Sequence, residues 1–225
     1  MDVYYTGQFV LPLPEGHRFP MAKYHMLRDR LVAEYAGIEL KTAMPASDGM
    51  LALAHTPEYI RELTSGSILA CAMREIGFPW SEAMVARARL SVGATIGACR
   101  SAFKNGLAAN IAGGTHHSYA HKGSGFCVFN DSAVAARLMQ AEWGRDRLNL
   151  HTPLKVAVID LDVHQGNGTA SIFQDDNSVF TLSIHGARNF PFHKETSDLD
   201  VELADDCEDD AYLHALDQPL DELEH

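Results

Sequence analysis

The sequence predicts an α/β fold layered around a mostly parallel sheet, and three observations point to it. Two apolar runs without polar alternation, Val156–Asp160 and Val179–Ile184, read as strands of a buried parallel sheet. Helical stretches alternate with such strands, the longest being Ser81–Asn105. Polar groups collect where the strand-like run 155–159 ends, with Asp160, Asp162 and His164 spaced two apart. At 225 residues, one domain spanning 1–225 is expected, with room for one substantial core.

The elements follow in order. Val3–Tyr5 reads as a first strand, and Leu11–Phe19, with Pro12, Pro14 and Gly16, as a loop. Met21–Ala36 has helical spacing, with Tyr24, Leu27, Leu31 and Tyr35 on one stripe. A strand around Ile38–Leu40 is expected next. Thr56-Pro57 supplies a cap and a first-turn proline for a helix over Pro57–Leu63. Ser81–Asn105 ends at Asn105-Gly106, a helix-stop pair. A short strand at Asn110–Ala112 precedes a Gly-His loop, and Asn130–Gly144 is a further helix. A last helix starts at Asp209–Leu220 with no strand after it, so the sheet is expected to lack its last strands.

Composition narrows the function classes. The hydrophobic content of 46% is ordinary for a globular chain, and no apolar run approaches a membrane span. The N-terminus has no basic and long apolar regions of a secretory signal. Cys71, Cys99, Cys127 and Cys207 show no CxxC pairing and read as reduced, buried or half-buried thiols, which fits a cytoplasmic setting. The net charge of −12 is local: no Lys or Arg follows Lys194, whereas thirteen acidic residues do. Residues 1–194 carry 18 basic and 17 acidic side chains, and no basic patch marks a nucleic-acid surface.

The chemistry concentrates in two stretches. Along a strand, Asp160, Asp162 and His164 leave on one side, and at the strand end they face a crevice. A carboxylate and an imidazole two residues apart can ligate one zinc, and catalytic zinc typically takes three protein ligands plus water. Backbone-capping polar groups are the plainer alternative for Asp162 and His164. His116-His117, after the Gly113-Gly114 turn, could transfer protons. A metal-activated water beside an acid/base pair means hydrolysis.

These residues sit in longer strings that resemble the histone deacetylase family, which also holds acetoin-utilisation and acetylpolyamine amidohydrolases. The strings are Gly16-His17-Arg18-Phe19-Pro20-Met21, His55-Thr56-Pro57-Glu58-Tyr59, Gly113-Gly114-Thr115-His116-His117 and Gly125-Phe126-Cys127-Val128-Phe129-Asn130-Asp131. They continue through Asp160–Thr169 and Ser183-Ile184-His185, and His164-Gln165-Gly166-Asn167-Gly168 is similar to the class IV branch.

The resemblance implies an arginase/deacetylase-type three-layer fold with zinc in the cleft, held by Asp162 and His164. It implies His117 as general base and then acid, and His116 as a largely cationic partner restrained by Asp160. Asn167 is the partner of His117, where class I enzymes carry Asp, and a neutral amide raises a histidine pKa less than a carboxylate does. It further implies a potassium site at Asp160, Asp162, His164, Ser183 and Ile184, and a second cation position at Phe173, Asp176 and Val179. Gly125, Phe126 and Phe190 match the walls of a tunnel for an acylated lysine or similar acylated amine. Other histidines, among them His17, His55 and His185, read as surface or structural.

The family's third zinc ligand, an aspartate, and its transition-state tyrosine match positions beyond residue 225, so a C-terminally truncated chain is expected. Asp200 and Asp205, the nominal substitutes for the aspartate, match a loop ahead of the last helix. Two other functions compete. One is a metal- or acyl-amine-binding relative that does not hydrolyse. The other is arginase-like binuclear manganese chemistry, which needs more bridging carboxylates than Asp160-Leu161-Asp162-Val163-His164 offers.

Overall fold

A computed structural model describes residues 1–6, 11–146 and 154–223. Its six strands are all parallel to their partners and form two three-stranded sheets. In the first, β1 (Asp2–Tyr5) lies between β2 (Glu39–Thr42) and β3 (Ala108–Asn110). In the second, β5 (Val179–Gly186) lies between β4 (Val156–Asp160) and β6 (Leu199–Leu203). The sheet expected to be continuous is therefore split, with β3 and β4 each at an edge. β5 is buried almost throughout, but alternate residues of β4 are exposed, and Ile159 is 41% accessible. The expectation of a strand buried on both faces holds for β5 and not for β4.

Eight helices surround these sheets among the described residues: α1 (Lys23–Glu34), α2 (Asp48–Leu51), α3 (Pro57–Ser65), α4 (Ala70–Ile76), α5 (Glu82–Asn105), α6 (Asp131–Asp146), α7 (Asn167–Phe173) and α8 (Asp209–Leu223). Local chemistry fixes their ends. The Ser81 hydroxyl accepts from Met84 N at 3.0 Å to cap α5, and Gly106 closes it at φ +83°. Thr56 caps α3 through Tyr59 N, with Pro57 in the first turn. The main core gathers α3, α4, α5 and the start of α6, and Leu63, Ile76, Met84, Val92, Phe129 and Val134 are among its fully buried side chains.

α1 departs from expectation. None of its residues is buried; Leu27 is exposed, as is Tyr35 just past its end, so the predicted stripe does not enter a core. Cys71 is likewise exposed rather than half-buried, and all four cysteines are free. Among the described residues no helix is long and apolar enough to cross a membrane.

His55 ties the helical core to the segment that carries the paired histidines. Its Nδ1–H donates to Tyr119 O at 3.0 Å, and its Nε2 accepts from Asn130 N at 2.9 Å. At 3% exposure, burial pushes its pKa down to about 4. The unfolded chain then takes up a proton near pH 6.5 while the folded chain refuses it until about pH 4. The stability this histidine contributes is present above pH 6.5 and is lost as pH falls toward 4. Between pH 7.5 and 5 the loss should be about 2 kcal/mol from His55 alone. Urea unfolding of the unaltered chain and of His55→Gln at both pH values should differ in pH dependence by that amount.

Candidate active site

The Gly-Gly-Thr-His-His turn is held from below by the start of α6. The Asp131 carboxylate, 1% exposed, accepts from Gly114 N at 3.1 Å, Thr115 N at 2.8 Å and the Thr115 hydroxyl at 2.7 Å. Thr95 of α5 adds a further bond to it at 2.5 Å. Asn130 caps α6 by accepting from Ala133 N, and its Nδ2 donates to Ser118 O at 3.1 Å. These contacts fix the backbone on both sides of His116 and His117.

α7 presses on the same segment from the other side. A Cβ added at Gly168 would lie 2.4 Å from Ser118 O and 2.6 Å from His117 C, so only glycine allows this approach. Gly168→Ala should cost about 1–3 kcal/mol and displace His117. Denaturant melts paired with the His117 NMR signals would register both effects, whereas a silent substitution would deny the contact.

The two histidines are buried and adjacent, with ring centroids 4.0 Å apart, yet their environments differ. His116 Nδ1 bonds Asp160 Oδ2 at 2.5 Å. Burial opposes its charge, but the Asp160 hydrogen bond and the carboxylates of Asp160, Asp162 and Asp131 together outweigh that, and its pKa is raised. His117 Nδ1 instead meets the neutral Asn167 Oδ1 at 2.7 Å. Burial, then repulsion from His116, push its pKa down to about 4. Two imidazoles side by side are thus driven toward opposite charge states, the pattern that separates an acid from a base.

Asp162 and His164 do converge, but not as strand neighbours. β4 ends at Asp160, and residues 162–164 form bends. Asp160 Oδ1 accepts from Asp162 N at 3.1 Å, and Asp162 Oδ1 accepts from His164 N at 2.8 Å. This chain of side-chain turns, rather than strand alternation, brings Asp162 Oδ1 to 2.9 Å from His164 Nδ1. Partial burial works against the Asp162 charge, but the His164 N–H and the His116 and His164 rings outweigh it and lower its pKa. Among the described residues, no group of three or more His, Cys, Asp or Glu is arranged to hold a metal. Asp200 lies in β6, not in a loop, and accepts from Gln165 Nε2 and Ser197 N; Asp205 pairs with Arg188 at 2.5 Å. Neither nominated substitute stands at Asp162 and His164.

The other predicted residues divide. Phe190 sets its ring edge-on to His117 at 4.9 Å and stands 6.0 Å from His164. Gly125, at φ +53°, borders both: a Cβ there would lie 2.6 Å from the His117 ring and 3.1 Å from Phe190. Phe126 packs its ring on Phe19, Phe78 and His17 instead of facing Phe190. Phe192, next to the Phe190 ring, is 83% exposed. Asp160 and Ser183 stand opposite each other in the β4–β5 register, and Ile184 follows on β5. Asp176, of the second cation position, is bonded to Ser178 and paired with Arg137.

Sequence reasoning missed Tyr119 and Glu195. Tyr119 OH accepts from Asn167 Nδ2 at 2.9 Å and donates to Glu195 Oε1 at 3.1 Å. Residues so far apart in sequence carry no spacing signal that would join them.

Known proteins share this arrangement of elements. A model of the histone deacetylase domain matches residues 17–224. An uncharacterized protein of Picosynechococcus sp. is 42% identical over 223 residues, covering 98% of this chain and 72% of that protein. The acetoin utilization protein AcuC of Bacillus subtilis is 30% identical over 199 residues, 84% of this chain and 49% of AcuC. The crystal structure of an HDAC homologue from Aquifex aeolicus superposes with a TM-score of 0.76 at 25% identity, covering 98% of this chain and 63% of that one. An HDAC homologue complexed with SAHA gives the same score at 26% identity. The chain thus spans about half the length of AcuC and under two thirds of the solved homologues.

Proposed function

The chain belongs to the histone deacetylase family, and from that premise we propose that it serves zinc-dependent hydrolysis of an acyl-amide, with an acyl-lysine or similar acylated amine as substrate. The observation that carries this reading is the meeting of Asp162 and His164 beside a His117 whose partner and low pKa keep it neutral.

Two of the three protein ligands that catalytic zinc usually takes meet among the described residues. An ionised carboxylate oxygen and an imidazole nitrogen, already 2.9 Å apart, are ligand types that zinc takes. When bound, zinc would polarise the amide carbonyl and make water a better nucleophile. His117, neutral above about pH 4, donates its Nδ1–H to Asn167 and keeps Nε2 for the proton of the attacking water. The same nitrogen returns that proton to the departing amine. His116, held toward its cationic form by Asp160, would hydrogen-bond the attacking water beside His117. Phe190, edge-on to His117, and Gly125, which borders both rings, would be the wall along which an extended alkyl chain lies.

Potassium at Asp160, Asp162, His164, Ser183 and Ile184 belongs to the same proposal, supported by the facing of Asp160 and Ser183 and by the preference of hard cations for oxygen. A cytoplasmic setting agrees with four free thiols. A second reading, binding without turnover, is favoured by the two-donor set among the described residues.

A panel of N-acyl amines separates the readings. Incubated with the protein as its gene encodes it, acetyl-lysine peptides or acetylated polyamines should release free amine in the presence of zinc. Saturable binding of the panel with no amine released would establish the second reading instead.

A further inference from the structure

We infer that Tyr119 and Glu195 are positioning residues that select the ring tautomer of His117 through the side-chain amide of Asn167. The inference rests on the reading of His117 as the base.

Four side chains form one chain of hydrogen bonds: His117 Nδ1 to Asn167 Oδ1 at 2.7 Å, Asn167 Nδ2 to Tyr119 OH at 2.9 Å, and Tyr119 OH to Glu195 Oε1 at 3.1 Å. Its polarity is set at the far end. An ionised carboxylate only accepts, so the single Tyr119 proton goes to Glu195. The Tyr119 oxygen must then accept, and only the NH₂ side of Asn167 can donate to it. That turns the Asn167 oxygen toward His117. A carbonyl oxygen only accepts, so His117 Nδ1 carries the hydrogen and Nε2 has the lone pair.

Without this terminus an amide has no such preference. Asn is nearly symmetric in shape, and rotating it by half a turn swaps donor for acceptor. With the NH₂ side toward the ring, Nδ1 would accept and Nε2 would hold the hydrogen, the wrong form for a base. A carboxylate in the place of Asn167 would be acceptor-only and would need no such help. The neutral amide makes the more distant carboxylate necessary.

Glu195 is itself fixed by the turn that carries Asn167. The buried Gln165 donates from Nε2 to Glu195 O at 2.7 Å and accepts from Glu195 N at 2.9 Å. Gln165 and Asn167, two residues apart, thus grip the backbone and, through Tyr119, the side chain of the same glutamate.

The test reads tautomers, not turnover. Protein labelled with ¹⁵N-histidine is studied without metal at pH 8.5, with His117 assigned by its loss in His117→Gln. The unaltered chain should show one His117 tautomer, with hydrogen on Nδ1. Glu195→Gln preserves shape but lets its amide donate to Tyr119, so the polarity is released and the second His117 tautomer should appear. Tyr119→Phe should do the same by cutting the chain. The His116 signals should keep the Asp160-bonded form in both variants, which reports that the fold is intact. A single unchanged His117 tautomer in both variants would overturn the inference. If the tautomer responds and no amide is cleaved, the relay stands and the proposed function fails.

Discussion

Alanine at Asp162 or at His164 should abolish zinc binding and amide hydrolysis together. These two side chains bring a carboxylate oxygen and an imidazole nitrogen to one point, 2.9 Å apart. Losing even an outer-shell partner of a metal ligand costs 10–100-fold in affinity or activity, so losing a ligand should exceed about 100-fold. Asp162→Ala should be the more damaging to the backbone, because Asp162 Oδ1 also accepts the His164 N–H. Metal analysis after dialysis against limiting zinc checks this directly. Unchanged zinc content in both variants would remove the metal from this place.

His117→Ala should leave zinc content intact and lower turnover by about 10²–10⁴-fold, the usual contribution of a positioned acid/base group. Its Nδ1 points to Asn167 and not to Asp162 or His164, so metal affinity has no reason to change. His116→Ala should behave differently. It removes a cation held by Asp160 and leaves that carboxylate, 14% exposed, without its partner, so stability should suffer along with rate. Steady-state rates and denaturation curves for the two variants separate these outcomes. Near-normal turnover of His117→Ala would pass the proton-transfer role to His116.

Much of this was legible in the sequence because short-range chemistry wrote it. Ser81 and Gly106 bracket α5 as caps should, and Thr56-Pro57 opens α3. The paired histidines and the Asp-x-Asp-x-His run announced themselves by residue type. What spacing could not supply was the route by which they meet. Strand alternation predicts that Asp162 and His164 converge, whereas the chain leaves β4 at Asp160 and folds back through side-chain turns.

Other misses have equally local causes. α7 opens on Asn167-Gly168-Thr169, poor helix formers, and is held by packing against His117 rather than by propensity. β6 went unpredicted because Asp200 and Glu202 made it look like part of an acidic tail, although Leu199, Val201 and Leu203 alternate as a strand requires. The split between β3 and β4, and the exposure of α1, depend on tertiary surroundings that periodicity does not encode.

The central claim, that zinc at Asp162 and His164 drives amide hydrolysis beside His117, meets its most direct test in a metal titration. The protein as its gene encodes it is stripped with a chelator, and zinc is returned stepwise while amine release from an acetyl-lysine peptide is followed. The account predicts no hydrolysis in the stripped protein and a rise with zinc that levels off at one ion per chain. Undiminished hydrolysis after the metal is gone would contradict it.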